Sequence, residues 1–163
     1  MSSRLVIDIA TCLRQQQQRL ATAESCTGGW IAKQLTDVPG SSDWFDRGFV
    51  TYSNEAKQDM LGVPQPLIEQ QGAVSEAVVS AMAAGAIERS RAQWSVAVSG
   101  IAGPGGGSDE KPVGLVWLAW GMPDGIVHTE CCHFDGERDE VRQSAVETAL
   151  QGLKYRILRS LET

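Results

Sequence analysis

Two hydrophobic rhythms run through this chain. Helical periodicity marks an amphipathic segment from Leu5 to Gln17 that carries Asp8 and Arg14. A short apolar run then predicts a strand over Leu20 to Glu24, and the helical pattern resumes at Thr27 and reaches Thr36. Pro39-Gly40-Ser41-Ser42 interrupts it before a second strand at Phe49-Val50-Thr51-Tyr52. Asn54 is the expected cap of a helix carrying Glu55, Lys57 and Met60, which Gly62 and Pro64 stop, and another short helix follows Pro64. Ser75 opens a long Ala-rich helix to Arg91, whose Val78, Met82 and Ala86 face reads as core and whose small residues permit close packing on a sheet. Strands are expected at Ser95 to Ser99, Val113 to Trp120 and Ile126 to Phe134, with a hairpin turn at Met122-Pro123-Asp124-Gly125. Asp135-Gly136 then opens a last helix through Val141, Ala145, Thr148, Leu153 and Ile157. Strands alternating with helices, plus one hairpin, predict an α/β fold: a single three-layer α/β/α domain over residues 1–163 with a mixed five-stranded sheet.

Composition narrows the function classes. At 163 residues with 42% hydrophobic content the chain can bury a full core. The net charge of -6, with no basic stretch, argues against nucleic acid as a partner, and an anionic ligand would need a local positive pocket. No segment reads as a leader or a membrane span, so the expected location is cytoplasmic. The four cysteines suit reduced thiols, because Cys131 and Cys132 are adjacent and point to opposite faces of a strand. Alternation pairs His128 with Cys132 and His133 with Cys131 on opposite faces, so no metal is expected there.

The richest chemistry lies in Ala23-Glu24-Ser25-Cys26-Thr27-Gly28-Gly29. A hydroxyl and a thiol stand at a sharp turn between a strand and a helix, where glycines let backbone approach a ligand and first-turn amides can receive negative charge. Acyl transfer is the chemistry this favours, with Ser25 and Cys26 as rival nucleophiles. The G-x-S-x-G spacing is absent and neither histidine is well placed, so the base must be sought elsewhere. Lys57, near the positive end of a helix dipole, is the candidate, with Tyr52 on the preceding strand able to orient or relay the proton; a solvated Lys57 and a core Tyr52 are the competing reading. The loop Ser99-Gly100-Ile101-Ala102-Gly103-Pro104-Gly105-Gly106-Gly107-Ser108 could converge its amides on an anion or a flat ring, or be a surface turn. It is not a Walker loop, since Lys111 precedes Pro112. At Asp135-Gly136-Glu137-Arg138-Asp139-Glu140-Val141-Arg142, two arginines one turn apart could hold a phosphate beside helix amides, or form surface ion pairs with the carboxylates around them.

Taken together, TAESCTGG, GSSDWFDRGFVTYSNEAK, GAVSEAVV, SGIAGPGGGSDEKPVG and GERDEVR resemble the CinA-like family, in its stand-alone nicotinamide-nucleotide amidohydrolase branch, over nearly the whole chain. The resemblance implies an α/β/α fold without the extra N-terminal domain of longer members. It also implies hydrolysis of nicotinamide mononucleotide to nicotinate mononucleotide and ammonia, with no cofactor and no metal. Carried over position by position, it makes Ser25 the nucleophile, Lys57 its base and Tyr52 the assisting hydroxyl. Cys26, Thr27, Gly28, Ser99, Gly100, Gly103, Gly105 and Arg138 or Arg142 become the substrate-holding set. The expected partner is the small nucleotide alone, with no nucleic acid and no membrane, and a homo-oligomer, most simply a dimer, is the expected assembly. A pyridine-nucleotide-sensing module without turnover, or an interaction partner in competence or DNA damage, would use the same fold differently. Intact Ser25, Tyr52 and Lys57 favour the enzyme.

Overall fold

A computed structural model describes residues 3–162. Helix α1 (Ser3–Gln16) leads to β1 (Leu20–Glu24), then α2 (Trp30–Thr36) and β2 (Phe45–Val50). Three helices, α3 (Asn54–Leu61), α4 (Gln65–Gln71) and α5 (Glu76–Glu88), separate β2 from β3 (Trp94–Gly100). The hairpin β4 (Leu115–Gly121) and β5 (Val127–His133) and the long α6 (Arg138–Ser160) follow. The strands form one five-stranded sheet in the order β2-β1-β3-β4-β5. β1 runs parallel to both β2 and β3, whereas β4 is antiparallel to β3 and to β5.

Because successive side chains in a strand point to opposite faces, the sheet sorts its residues into two cores. Leu20, Val96, Val98, Leu118 and Trp120 meet α1, α2 and α6, while Ala21, Ala23, Ala97 and Ala119 meet α5 and the helices packed on it. Alanine on the second face brings α5 close to the sheet, as its small residues predict. The closeness extends outward: a Cβ at Gly85 of α5 would stand 2.1 Å from the Leu61 carbonyl oxygen of α3. Glycine there seats the helix that carries Lys57 directly on α5.

The three-layer α/β/α architecture and mixed sheet agree with the sequence reading, and several boundaries move. The helix expected from Thr27 starts at Trp30, since Gly28 and Gly29 have φ of 61° and 103° and belong to a turn. The strand expected at Phe49 to Tyr52 is Phe45–Val50. Its polar residues Asp46 and Arg47 disguise an edge strand, and Gly48 is needed because a Cβ would lie 2.7 Å from Thr22 Oγ1. Ser53, not Asn54, caps α3, its hydroxyl accepting the Ala56 N–H at 3.0 Å. α5 stops at Glu88, three residues short of Arg91. α6 begins behind Glu137, whose reciprocal capping box with Glu140 takes first-turn donors that the sequence reading left open for a phosphate. On β5, Cys132 packs toward the larger core, while Thr129 bonds Glu76 of α5 from the other face. Among the described residues no helix is long and apolar enough to cross a membrane.

Candidate active site

The topology reverses at β1. From β1 the chain moves outward to β2, then crosses back over β1 to β3, so the connections leaving the carboxyl ends of β1 and β3 part to opposite sides of the sheet. Such a switch point opens a crevice, and this one holds the glycine loop after β3 and the turn after β1. A cavity of about 260 Å³ lies there, lined by Ser25, Cys26, Tyr52, Asn54, Lys57, Ser99, Gly100, Gly103, Gly105 and Arg138, with Ala73, Val74, Ile101, Ala102 and Gly106 completing its wall.

Ser25 is the first residue past β1, its N–H bonded to the Val98 carbonyl of β3 at 3.0 Å. Its Oγ lies 3.0 Å from Lys57 Nζ. Lys57 is 1% exposed, and its amine also donates to the Thr51 and Tyr52 carbonyls at 2.9 and 3.2 Å. Burial lowers the pKa of Lys57 below the ordinary lysine value. The amine thus has the two carbonyls and the Ser25 hydroxyl as its polar neighbours, and the same hydroxyl stands 3.5 Å from the Tyr52 carbonyl. Lys57 is therefore neither solvated nor dependent on the helix end alone, and desolvation is the main cause of its shift.

The other expected site residues divide into two groups. Ser99 is buried in the cavity wall, its hydroxyl on the Ala73 carbonyl at 2.8 Å. Arg138 lines the cavity, donating to the Gly103 carbonyl at 2.8 Å and to Tyr52 Oη at 3.3 Å. Tyr52, 61% exposed, thus directs its hydroxyl to Arg138 at the mouth, and its main-chain carbonyl is what meets Lys57. The glycine loop is tied down on its far side, where Lys111 Nζ reaches the Gln71 carbonyl at the end of α4, 2.6 Å away. Thr27, Gly28 and Arg142 line a neighbouring groove instead of the cavity. Thr27 is fully buried and gives its hydroxyl to Glu24. The Cys26 thiol packs in the larger core, where burial pushes its pKa up to about 11, so it is held as a thiol.

Sequence reasoning missed Glu24. This buried carboxylate accepts the Thr27 hydroxyl and the Ile31 and Ala32 N–H groups at 2.8 and 3.1 Å. It occupies the amide end of α2 that had been expected to receive negative charge from a substrate. Asn54 in the cavity wall was read only as a cap.

The family model described as the CinA C-terminal domain matches residues 3–157. The chain belongs to the CinA family. It is 53% identical over 154 residues to a protein of Escherichia coli K12 named nicotinamide-nucleotide amidohydrolase PncC, covering 93% of this chain and 92% of that one. A protein of the same name from Pseudomonas putida is 57% identical over 142 residues, covering 86% and 88%. Among solved structures, the competence/damage inducible protein CihA of Agrobacterium tumefaciens superposes with a TM-score of 0.90 at 51% identity, covering 93% of this chain and 92% of its own. In this CinA-family chain the four motifs AESCTGG, TYSNEAK, SGIAGPGG and GERDEVR, far apart in sequence, all meet at the switch point.

Proposed function

We propose that this chain is a nicotinamide-nucleotide amidohydrolase that converts nicotinamide mononucleotide and water to nicotinate mononucleotide and ammonia, using Ser25 and Lys57. The observation that carries the reading is the 3.0 Å contact of a buried, desolvated lysine amine with a serine hydroxyl on a cavity floor. Relatives of 53% and 57% identity that carry the amidohydrolase name supply the substrate class.

In the proposed reaction, Ser25 Oγ attacks the carboxamide carbon while neutral Lys57 takes its proton. The resulting ammonium passes that proton to the departing nitrogen, which leaves as ammonia. Water then adds to the acyl-serine ester, giving its proton to Lys57, and collapse of this second adduct returns the proton to Ser25 and releases the carboxylate. The Cys26 N–H, beside the nucleophile, is not taken by a main-chain acceptor among the described residues, whereas the Gly28 N–H is bonded to the Ser25 carbonyl at 3.0 Å. Cys26 N–H is accordingly the oxyanion donor in this reading. Among the described residues, Arg138 and Lys57 are the only basic side chains in the cavity wall. With Lys57 committed to Ser25, Arg138 is left to meet the phosphate at the mouth, beside the Tyr52 ring.

The deciding experiment is ammonia release from nicotinamide mononucleotide by purified protein. Wild type and Cys26→Ala should both turn over, and Ser25→Ala should be inactive while keeping its thermal stability. Turnover surviving in Ser25→Ala but lost in Cys26→Ala would transfer the nucleophile to the thiol.

A further inference from the structure

Arg142, on the second turn of α6, reaches back to the turn that follows Ser25. Its Nε donates to the Cys26 carbonyl at 3.0 Å and its Nη2 to the Thr27 carbonyl at 3.3 Å, across 116 and 115 residues of chain. Two consecutive carbonyls thus converge on one guanidinium plane. In a trans peptide the C=O and the following N–H point in opposite directions, so this hold orients the Cys26–Thr27 and Thr27–Gly28 peptide planes, one residue beyond Ser25. The second of those planes carries the Gly28 N–H, which closes the turn on the Ser25 carbonyl at 3.0 Å.

The guanidinium is itself held. Its Nη1 meets Asp139 at 3.5 Å, and its carbon stands 5.6 Å from the centre of the Trp30 ring. Its contacts are directed at the protein, and it borders the outer groove beside Gly28, Trp30 and Lys33 instead of the cavity that Ser25 occupies. A lysine could not reproduce this, because a point charge on a flexible stem lacks the planar fork that spans two carbonyls.

We propose that Arg142 is a positioning residue that holds the Cys26–Thr27 turn, and through it the Ser25 hydroxyl, in register with the Lys57 amine, and that it does not anchor the substrate's phosphate. The proposal rests on the Ser25–Lys57 reading. A displacement of the nucleophile by about an ångström costs on the order of a hundredfold in rate without weakening ground-state binding.

The test is steady-state turnover of nicotinamide mononucleotide by Arg142→Ala, Arg142→Lys and Ser25→Ala. Arg142→Ala should lose at least about thirtyfold in kcat while KM stays within about threefold, and Arg142→Lys should fall between it and wild type. Guanidinium ion at concentrations well below denaturation should restore part of the kcat of Arg142→Ala, since the groove is open to solvent, and none in Ser25→Ala. If Arg142→Ala does not fold, the smaller kcat loss at constant KM expected of Arg142→Lys is read in its place. A raised KM with kcat near wild type would make Arg142 a substrate anchor and overturn the proposal, as would variants matching wild type in both constants. Full turnover in Ser25→Ala would instead remove the nucleophile reading, and the positioning role with it.

Discussion

Replacing Lys57 with methionine separates the chemistry of the amine from the packing of its stem. The side chain is fully buried, and methionine, unbranched and of similar length, refills the same volume. What disappears is Nζ, with its contacts to Ser25 Oγ, Thr51 O and Tyr52 O at 3.0, 2.9 and 3.2 Å. For the proposed reaction this removes the base that stands 3.0 Å from the hydroxyl, so kcat should fall at least about a thousandfold, or about 4 kcal/mol of activation free energy. For stability two effects oppose. Two carbonyls lose a donor at about 1 kcal/mol each, while the cost of keeping an ionisable amine out of water is relieved, so the net change stays within about 2 kcal/mol. Lys57→Arg should be equally inactive, because a guanidinium stays protonated and cannot accept the serine proton. The assays are ammonia release coupled to glutamate dehydrogenase, and urea denaturation. The pH dependence adds a signed check. Burial lowers the pKa of Lys57 in the fold, so the unfolded chain holds more protons between that lowered value and the ordinary 10.5. Stability in wild type therefore rises with pH through this window and is lost as pH falls through the folded pKa, and Lys57→Met abolishes that contribution. Activity should rise with pH over the same lower limb, as the neutral amine forms. Turnover within tenfold of wild type in either variant, or activity that falls as pH climbs through that limb, would refute the assignment of Lys57 as base.

Glu24→Ala should lower the unfolding free energy by about 3 kcal/mol in urea titrations, since it orphans the buried Ile31 and Ala32 amides and the Thr27 hydroxyl, and a loss under 1 kcal/mol would contradict that account. Arg138→Ala should raise KM for nicotinamide mononucleotide about tenfold with kcat little changed, and should narrow the preference for the nucleotide over its dephosphorylated riboside. An undiminished preference in that variant would place the phosphate elsewhere.

Most of the fold was legible in the sequence because local signals and burial agree. The runs at Leu20 to Glu24 and Ser95 to Ser99 are apolar enough to be interior strands, and β1 and β3 occupy them at the centre of the sheet. The misreading of β2 has the converse cause. An edge strand pairs on one side only, so Asp46 and Arg47 can remain polar, and a pattern-based reading slides to the more apolar Phe49 to Tyr52. The start of α2 was misplaced because the turn's glycines were taken as access for a ligand, and nothing local shows that Glu24, seven and eight residues upstream, takes the Ile31 and Ala32 amides.

The sequence alone determined the layered α/β class, the small-residue face of α5 and the presence of a hydroxyl beside glycines at a strand-to-helix turn. These depend on propensity and periodicity, which act over one or two turns of chain. Only the tertiary structure gives Ser25 and Cys26 different surroundings, because it packs Cys26 in the core and sets the serine hydroxyl 3.0 Å from an amine 32 residues away. It also decided the surroundings of Lys57. The two carbonyls that orient its amine belong to Thr51 and Tyr52, and main-chain oxygens have no signature in a sequence. The two arginines of α6 look equivalent along the chain, yet one turn of helix sends Arg138 to the cavity wall and Arg142 to the turn that follows Ser25. Where each of them points is set by the packing of α6 against α1, α2, β3 and β4, a long-range consequence of burial that no local pattern encodes.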